Sequence, residues 1–273
     1  MQDKDEATDW IDVWSIETFD DELLAELDCR ASVIRDYFNR EEVLWAEREQ
    51  GGGDWPEPEN PHAEGFIEAR EEIGNLMKQR SIRAWHYTRL TDEEIDVLRR
   101  EGIILSNLES FRTRLDAQVA AGSFDSEVAD QLYASSPFQG DQRDGRLNKF
   151  WMVSHPLPTS DHGVQPLLES WGGEVTYFRQ SSPDLKDLLV GLGQSRVIEV
   201  LVPLDVTSFG FSRAGDSVVA TYARHIDCSA EPKIFDLYIE QALSPEHVLA
   251  VHSKGEPNFS ALARGYPTGF TYE

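Results

Sequence analysis

The run Arg196-Val-Ile-Glu-Val-Leu-Val-Pro203 constrains the fold more than any other stretch. Its Val and Ile content suits a strand at the centre of a sheet, and proline ends it. A chain holding such a strand must supply partners for it, and several segments qualify. Ile82 to Tyr87, Lys149 to Ser154 (ended by Pro156), Gly173 to Arg179, Ile234 to Ile239 and Val248 to His252 all read as strands. Helices fall between them. Thr91-Asp-Glu-Glu94 fits a capping box that opens a helix to Arg100, closed by Gly102. Residues 108 to 134 are helical, Gly163 to Ser170 is a short helix, and Ser244-Pro245-Glu246 is a cap with proline at the first helical position.

The first 80 residues have a different texture. Residues 1 to 28 hold eleven Asp or Glu and one Lys, interrupted by Trp10, Ile11, Val13, Trp14, Ile16 and Phe19. Such a mixture is either a flexible acidic arm or a segment whose aromatic residues dock on the domain. A helix begins at Asp20 or Asp21, with Leu23, Leu24, Leu27, Ala31, Ile34, Phe38 and Leu44 at helical spacing. It stops near the turn-rich linker GGGDWPEPENP at 51 to 61, and a second helix spans roughly Ala63 to Gln79. The chain thus divides into an acidic helical N-terminal cap, 1–80, and a mixed domain, 81–273.

Charge bears on partners. The net charge is −25, a field that repels phosphate backbones and makes nucleic acid an unfavourable partner, while a protein with a basic face fits it. No run of about 18 apolar residues occurs, and the first 20 residues are acidic where a secretory signal is basic and then apolar. Two cysteines far apart in sequence, Cys29 and Cys228, suit a reduced compartment. A soluble cytoplasmic protein is expected.

Familiar chemical devices are missing from the sequence: there is no phosphate-cradling glycine-rich loop, no nucleophile elbow and no paired-histidine zinc helix. His225 and Cys228 stand three apart without the further ligands that a metal needs. What remains is Ala84-Trp-His-Tyr-Thr-Arg89. A strand that delivers His86, Tyr87 and Thr88 to the turn before a capped helix collects an imidazole, a phenol and a hydroxyl at a sheet edge. These groups can hold a ribose and stack on a flat ring. Equally, Trp85 and Tyr87 alternate across a strand while His86 satisfies a backbone carbonyl. Ser170-Trp171-Gly172-Gly173-Glu174 is open in the same way. The glycines permit close approach of backbone to a nucleotide, or they make a plain turn with Trp171 as its hydrophobic plug and Glu174 solvated.

His86-Tyr-Thr88 followed by a helix and Gly102-Ile-Ile-Leu-Ser106 resembles the first NAD-binding motif of mono-ADP-ribosyltransferases. Phe150-Trp151-Met-Val-Ser154 with Pro156 looks like that family's second strand, and Asp236-Leu-Tyr-Ile-Glu240 before Leu243-Ser-Pro-Glu-His-Val248 looks like its third. The resemblance spans residues 82 to the C-terminus. It implies that His86 bonds the adenosine ribose of NAD, that Thr88 and neighbouring groups such as Tyr87 and Ser154 help hold the dinucleotide, and that Trp151, Trp171 or Tyr177 stacks on the nicotinamide. It also implies a carboxylate, normally Glu, at the third motif. Position selects Asp236, residue type selects Glu240, and Glu174 is a reserve. Asp is one methylene shorter than Glu, and about 1 Å of misplacement can cost about a hundredfold in rate, so weakened or lost activity is a further alternative.

The fold so implied is α+β, two packed and mostly antiparallel sheets around an NAD cleft with an N-terminal helical cap. The expected function is mono-ADP-ribosyl transfer from NAD, as substrate, to a protein acceptor. Two alternatives stand beside it: a non-catalytic acidic interaction or inhibitor protein that binds a basic partner, and an NAD glycohydrolase with water as acceptor.

Overall fold

The computed structural model describes residues 10–49 and 59–265. Most of the linker expected at 51–61, and the acidic stretch before Trp10, lie outside the described residues. The protein is α+β. Its strands are β1 (Ser81–Leu90), β2 (Phe150–Val153), β3 (Gln194–Pro203), β4 (Asp236–Ile239) and β5 (Val248–Ser253). Its α-helices are α1 (Asp21–Cys29), α2 (Ala31–Glu49), α3 (Ala63–Met77), α4 (Asp92–Glu101), α5 (Leu108–Ala120), α6 (Ser126–Ser135), α7 (Gln165–Glu169), α8 (Glu174–Tyr177), α9 (Pro183–Gly191), α10 (Gly210–His225) and α11 (Pro257–Leu262). Among the described residues no helix is long and apolar enough to cross a membrane.

Two compact units emerge. One contains the described residues up to Arg83 together with Pro203–Asp236; the other contains Ala84–Val202 and the described residues from Leu237 onward. The first unit is therefore not the uninterrupted N-terminal cap of the sequence reading. It borrows α10 from the C-terminal half, because α3 needs an apolar partner and α10 supplies one. Gly215 of α10 lies so close to Gly74 of α3 that a Cβ on Gly215 would come within 2.7 Å of the Gly74 Cα. Arg70 Nε donates to Asp216 Oδ1 at 2.7 Å beside that crossing. Ile11, Val13, Trp14 and Phe19 are buried, so the aromatic part of the N-terminal segment is docked within this unit. Ile11 exchanges backbone hydrogen bonds with Ser81 and Arg83. Asp20 caps α1 by accepting from the Leu23 amide at 2.8 Å. The single helix expected from Asp20 to Leu44 is two, broken at Arg30.

The second unit is built on one five-stranded sheet in the order β4-β2-β1-β3-β5. β2 runs antiparallel to β1, with Trp85 opposite Val153. β5 runs antiparallel to β3, with Arg196 opposite Ser253 and a bulge between Glu199 and Val200. Val197, Ile198, Val200 and Val202 are all buried, as an interior strand covered on both faces requires. Helices α5, α6, α8 and α9 contribute to an apolar cluster around Trp171, which includes Phe111, Leu115, Leu132 and Phe138.

The described residues thus form one sheet rather than two. Gly173–Arg179, expected as a strand, instead contains α8. Gly172 and Gly173 both have positive φ and turn the chain, and the Thr176 hydroxyl donates back to the Gly173 carbonyl at 2.9 Å, which closes a helical turn.

Candidate functional site

β1, β2 and β4 are the three strands that carry the motif segments, and they lie side by side. Pleating divides their side chains between two faces. In β4, Leu237 and Ile239 are buried, whereas Asp236 is exposed, Tyr238 half-buried and Glu240, just past the strand, exposed. The alternation puts Asp236, Tyr238 and Glu240 on one side. In β2, Trp151 is 40% exposed and Met152 is buried.

Trp151 and Tyr238 meet across the strands, with ring centroids 4.6 Å apart. Lys149, two residues before Trp151, holds its Nζ 4.4 Å from the centre of the Tyr238 ring. Both side chains are tied to the turn that precedes β2. The Trp151 indole donates to the Gly145 carbonyl and Lys149 Nζ to the Asp144 carbonyl, each at 2.9 Å. The product is an aromatic pair in which Trp151 is partly exposed, Tyr238 is half-buried and the Lys149 ammonium lies over the Tyr238 ring. Lys149 already supplies the cation for Tyr238, and the exposed part of the Trp151 ring is the π face left for a flat ring.

The remaining motif residues are placed differently. His86 packs on Phe150, ring centroids 4.2 Å apart, and its Nδ1–H donates to the Trp151 carbonyl at 2.8 Å. Phe150 and Trp151 are consecutive in a strand, so the His86–Phe150 contact and the Trp151–Tyr238 contact are on opposite faces. Burial holds the His86 imidazole down to about 4, against the pull of the carbonyl, so it is neutral at ordinary pH. Thr88, two residues on, is buried. Tyr87 is buried as well, and its hydroxyl donates to the Leu157 carbonyl at 3.1 Å and accepts from the Leu157 amide at 2.6 Å. That hydroxyl fastens the segment after β2 to β1, and burial raises its pKa. Ser154 is fully buried.

Trp171, at 0% exposure, is a core side chain and has no free face for a nicotinamide. Its indole N–H donates to Glu94 Oε2 at 2.8 Å, and the Arg114 guanidinium sits 5.1 Å from its ring centre. Gly172 donates its amide to the Arg89 carbonyl at 3.1 Å, so the glycine pair serves the approach of this turn to β1. Glu174 opens α8 and is held by Arg146 Nε at 2.7 Å. Tyr177 is half-buried, and burial pushes its phenol up to about 12.

The structure therefore brings Trp151 against Tyr238 and sets His86 on the other face of β2, while Asp236 and Glu240 share strand parity with Tyr238. Tyr238 and Lys149 belong to the assembled site although no motif picks them out. The sign in the sequence was parity: Tyr238 shares its strand face with both candidate acids, and Lys149 shares one with Trp151. Among the described residues no group of three or more His, Cys, Asp or Glu side chains could hold a metal ion. Comparison with protein-family models, curated proteins and solved structures finds no match.

Proposed function

We propose that the chain transfers ADP-ribose from NAD to a protein acceptor, with the Trp151–Tyr238 surface receiving the nicotinamide end. What supports this reading is one juxtaposition: the three segments that resemble the transferase motifs are neighbouring strands, and the partly exposed Trp151 meets Tyr238, which lies between Asp236 and Glu240 in sequence. In this reading the wall of the NAD cleft is the β2/β4 face, and no second sheet is required of the described residues.

The chemistry asks little of acid catalysis. Oxidised nicotinamide is a cation that leaves as a neutral base, taking the electron pair of the bond to the ribose C1′. The ribosyl centre becomes oxocarbenium-like, and a carboxylate beside it is the charge that stabilises it. An acceptor lone pair then bonds to C1′, and the acceptor proton passes to that carboxylate or to water. Trp151 and Tyr238 hold the leaving ring, while Asp236 or Glu240 serves the cationic centre. His86 acts in this scheme through β2, where it fixes the Trp151 carbonyl, and not through the ribose.

The same position of His86 favours the second reading, a non-catalytic acidic protein that binds a basic partner, because the motif histidine is committed to a backbone carbonyl. One experiment separates the two. Purified protein is incubated with NAD and free nicotinamide is followed by chromatography, alongside Asp236→Ala and Glu240→Ala. Release that falls at least about a hundredfold in one variant identifies the acid. Release without labelling of any added protein would favour the glycohydrolase. No release together with no NAD binding by calorimetry would leave the acidic interaction protein.

A further inference from the structure

The apolar stripe that seats α2 on its neighbours outruns them. Ile34, Phe38 and Trp45 recur at intervals of four and seven residues and so share one side of the helix. The first two are covered. Ile34 is fully buried, and Phe38 packs edge-on against Phe66 in the first turn of α3, ring centroids 5.4 Å apart, while the neighbouring Tyr37 stacks on the same ring at 3.8 Å. The chain that leads into α3 reaches one turn further along α2: Asn60 Nδ2 donates to the Tyr37 carbonyl at 3.0 Å and to Glu41 Oε1 at 2.8 Å. α2 then continues to Glu49, and of its residues after Glu41 only Leu44 is buried. Trp45 is 61% exposed. A single exposed apolar residue is ordinary on a protein surface, but this one continues, in register, the side by which α2 is packed.

The surroundings of that ring carry mostly one sign of charge. The residues three and four places from Trp45, its neighbours on the helix surface, are Glu41, Glu42, Arg48 and Glu49, three carboxylates to one guanidinium, and the C-terminal end of α2 adds the negative pole of its dipole. A second copy of this chain, at net charge −25, would bring the same sign to this face, and the linker from Gln50 to Pro58 holds Asp54 and Glu57 and no cation. We propose that the C-terminal end of α2 is a docking surface for a basic amphipathic segment of another protein, an Arg or Lys side chain lying on the Trp45 indole and neighbouring cations meeting Glu42 and Glu49. A cation placed between a π face and carboxylates is attracted by both, and apolar residues of the same segment extend the cover that Phe66 gives to Phe38. The inference concerns the first compact unit alone and does not depend on NAD chemistry.

Fluorescence anisotropy tests the surface on the full chain without NAD, the probe being a labelled amphipathic peptide of Lys and Leu about five helical turns long. So acidic a protein attracts any polycation, and the variants separate the face from the field. They are Trp45→Ala, Glu42→Gln with Glu49→Gln, and, as a control of equal charge change, Glu109→Gln with Glu127→Gln at exposed positions of α5 and α6. The expected result is that the first two weaken the peptide by about tenfold and the control by less than about twofold. Trp45 is exposed, so its variant retains the fold, which circular dichroism verifies. Unchanged affinity in Trp45→Ala, equal losses in the two double variants, or no binding to the wild type at millimolar peptide would each overturn the proposal. A wild-type dimer in sedimentation that Trp45→Ala abolishes would give the face to a second copy, and peptide binding that emerges only once residues 50–58 are replaced by Gly and Ser would give it to the linker; either result overturns it too. Nicotinamide release is measured separately, so none of these outcomes decides the transferase reading.

Discussion

Glu94 has three donors on one carboxylate. Its Oε2 accepts from the Thr91 amide at 2.9 Å and from the Trp171 indole at 2.8 Å, while its Oε1 accepts from Arg114 Nε at 2.8 Å. The residue closes the capping box of α4, fixes the largest side chain of the core cluster and neutralises a guanidinium packed over that ring. Glu94→Gln keeps the shape but turns an NH2 toward one of these donors and removes the charge opposite Arg114. We expect it to lower the unfolding free energy by about 2–4 kcal/mol, measured by urea titration, against less than about 0.5 kcal/mol for the exposed neighbour Glu93→Gln. Equal effects of the two would show that the network does not hold the core. The capping half of this arrangement was legible, since Thr91 and Glu94 have the required spacing. The link to Trp171 was not, because it joins residues 77 apart and only the folded chain sets their distance. The candidate site divides in the same way: Trp151, Asp236 and Glu240 were visible in the linear motifs, whereas the Trp151–Tyr238 contact depends on which strands become neighbours.

At the scale of elements, large apolar residues announce themselves and small ones do not. α1, α3 and α4 follow the spacing of their Leu, Ile, Phe and Met residues, and the sequence reading finds them within a few residues. α10 is different. Its buried positions are Gly210, Ala214, Gly215, Ser217, Val218, Val219, Ala220, Tyr222 and Ala223, mostly side chains too small to mark a hydrophobic period. Those residues are small because α3 lies against them. A methyl group on Gly215 would overlap the Gly74 backbone, and backbone cannot rotate away as a side chain can. Gly215→Ala is therefore expected to cost about 1–3 kcal/mol despite the better helix propensity of alanine. Gly191→Ala, at the end of α9 with open space around its missing Cβ, should be neutral or slightly stabilising. Thermal unfolding of both variants decides the matter, and a Gly215→Ala protein as stable as the wild type would mean that the two helices are free to separate. α8 shows the opposite failure. Val175, Thr176 and Tyr177 have strand-like side chains, yet the preceding positive-φ glycines and the Thr176 hydroxyl impose a helical turn.

For the whole molecule, the sequence suggests an acidic helical N-terminal cap over residues 1–80, and the contacts divide the chain differently. The first unit is made from two stretches of chain, 10–83 and 203–236, and neither has a complete core without the other. Tyr222 donates to Asp28 Oδ1 at 2.6 Å and Thr221 to the Val13 carbonyl at 2.7 Å, so α10 is also tied by hydrogen bonds to the N-terminal segment. A fragment beginning at residue 81 would leave Ala214, Val218, Val219 and Tyr222 facing water in the middle of a chain that must still pass from β3 to β4. Exposed apolar surface of that kind drives association. Moreover, β1 would lose the Ile11 hydrogen bonds at its first residues. We expect residues 81–273 to lack a cooperative thermal transition and to aggregate, and residues 1–83 alone to be largely unstructured by circular dichroism; mixed together they should recover helix content. A soluble 81–273 fragment with a sharp transition near that of the intact chain would show that α10 does not need the N-terminal helices of its unit. That result would turn the acidic region into a true cap and allow it to be deleted when the NAD reaction is assayed. The expected result requires instead that every test of the site use the full chain, since the segment bearing α10 leads directly into β4 and its two candidate acids.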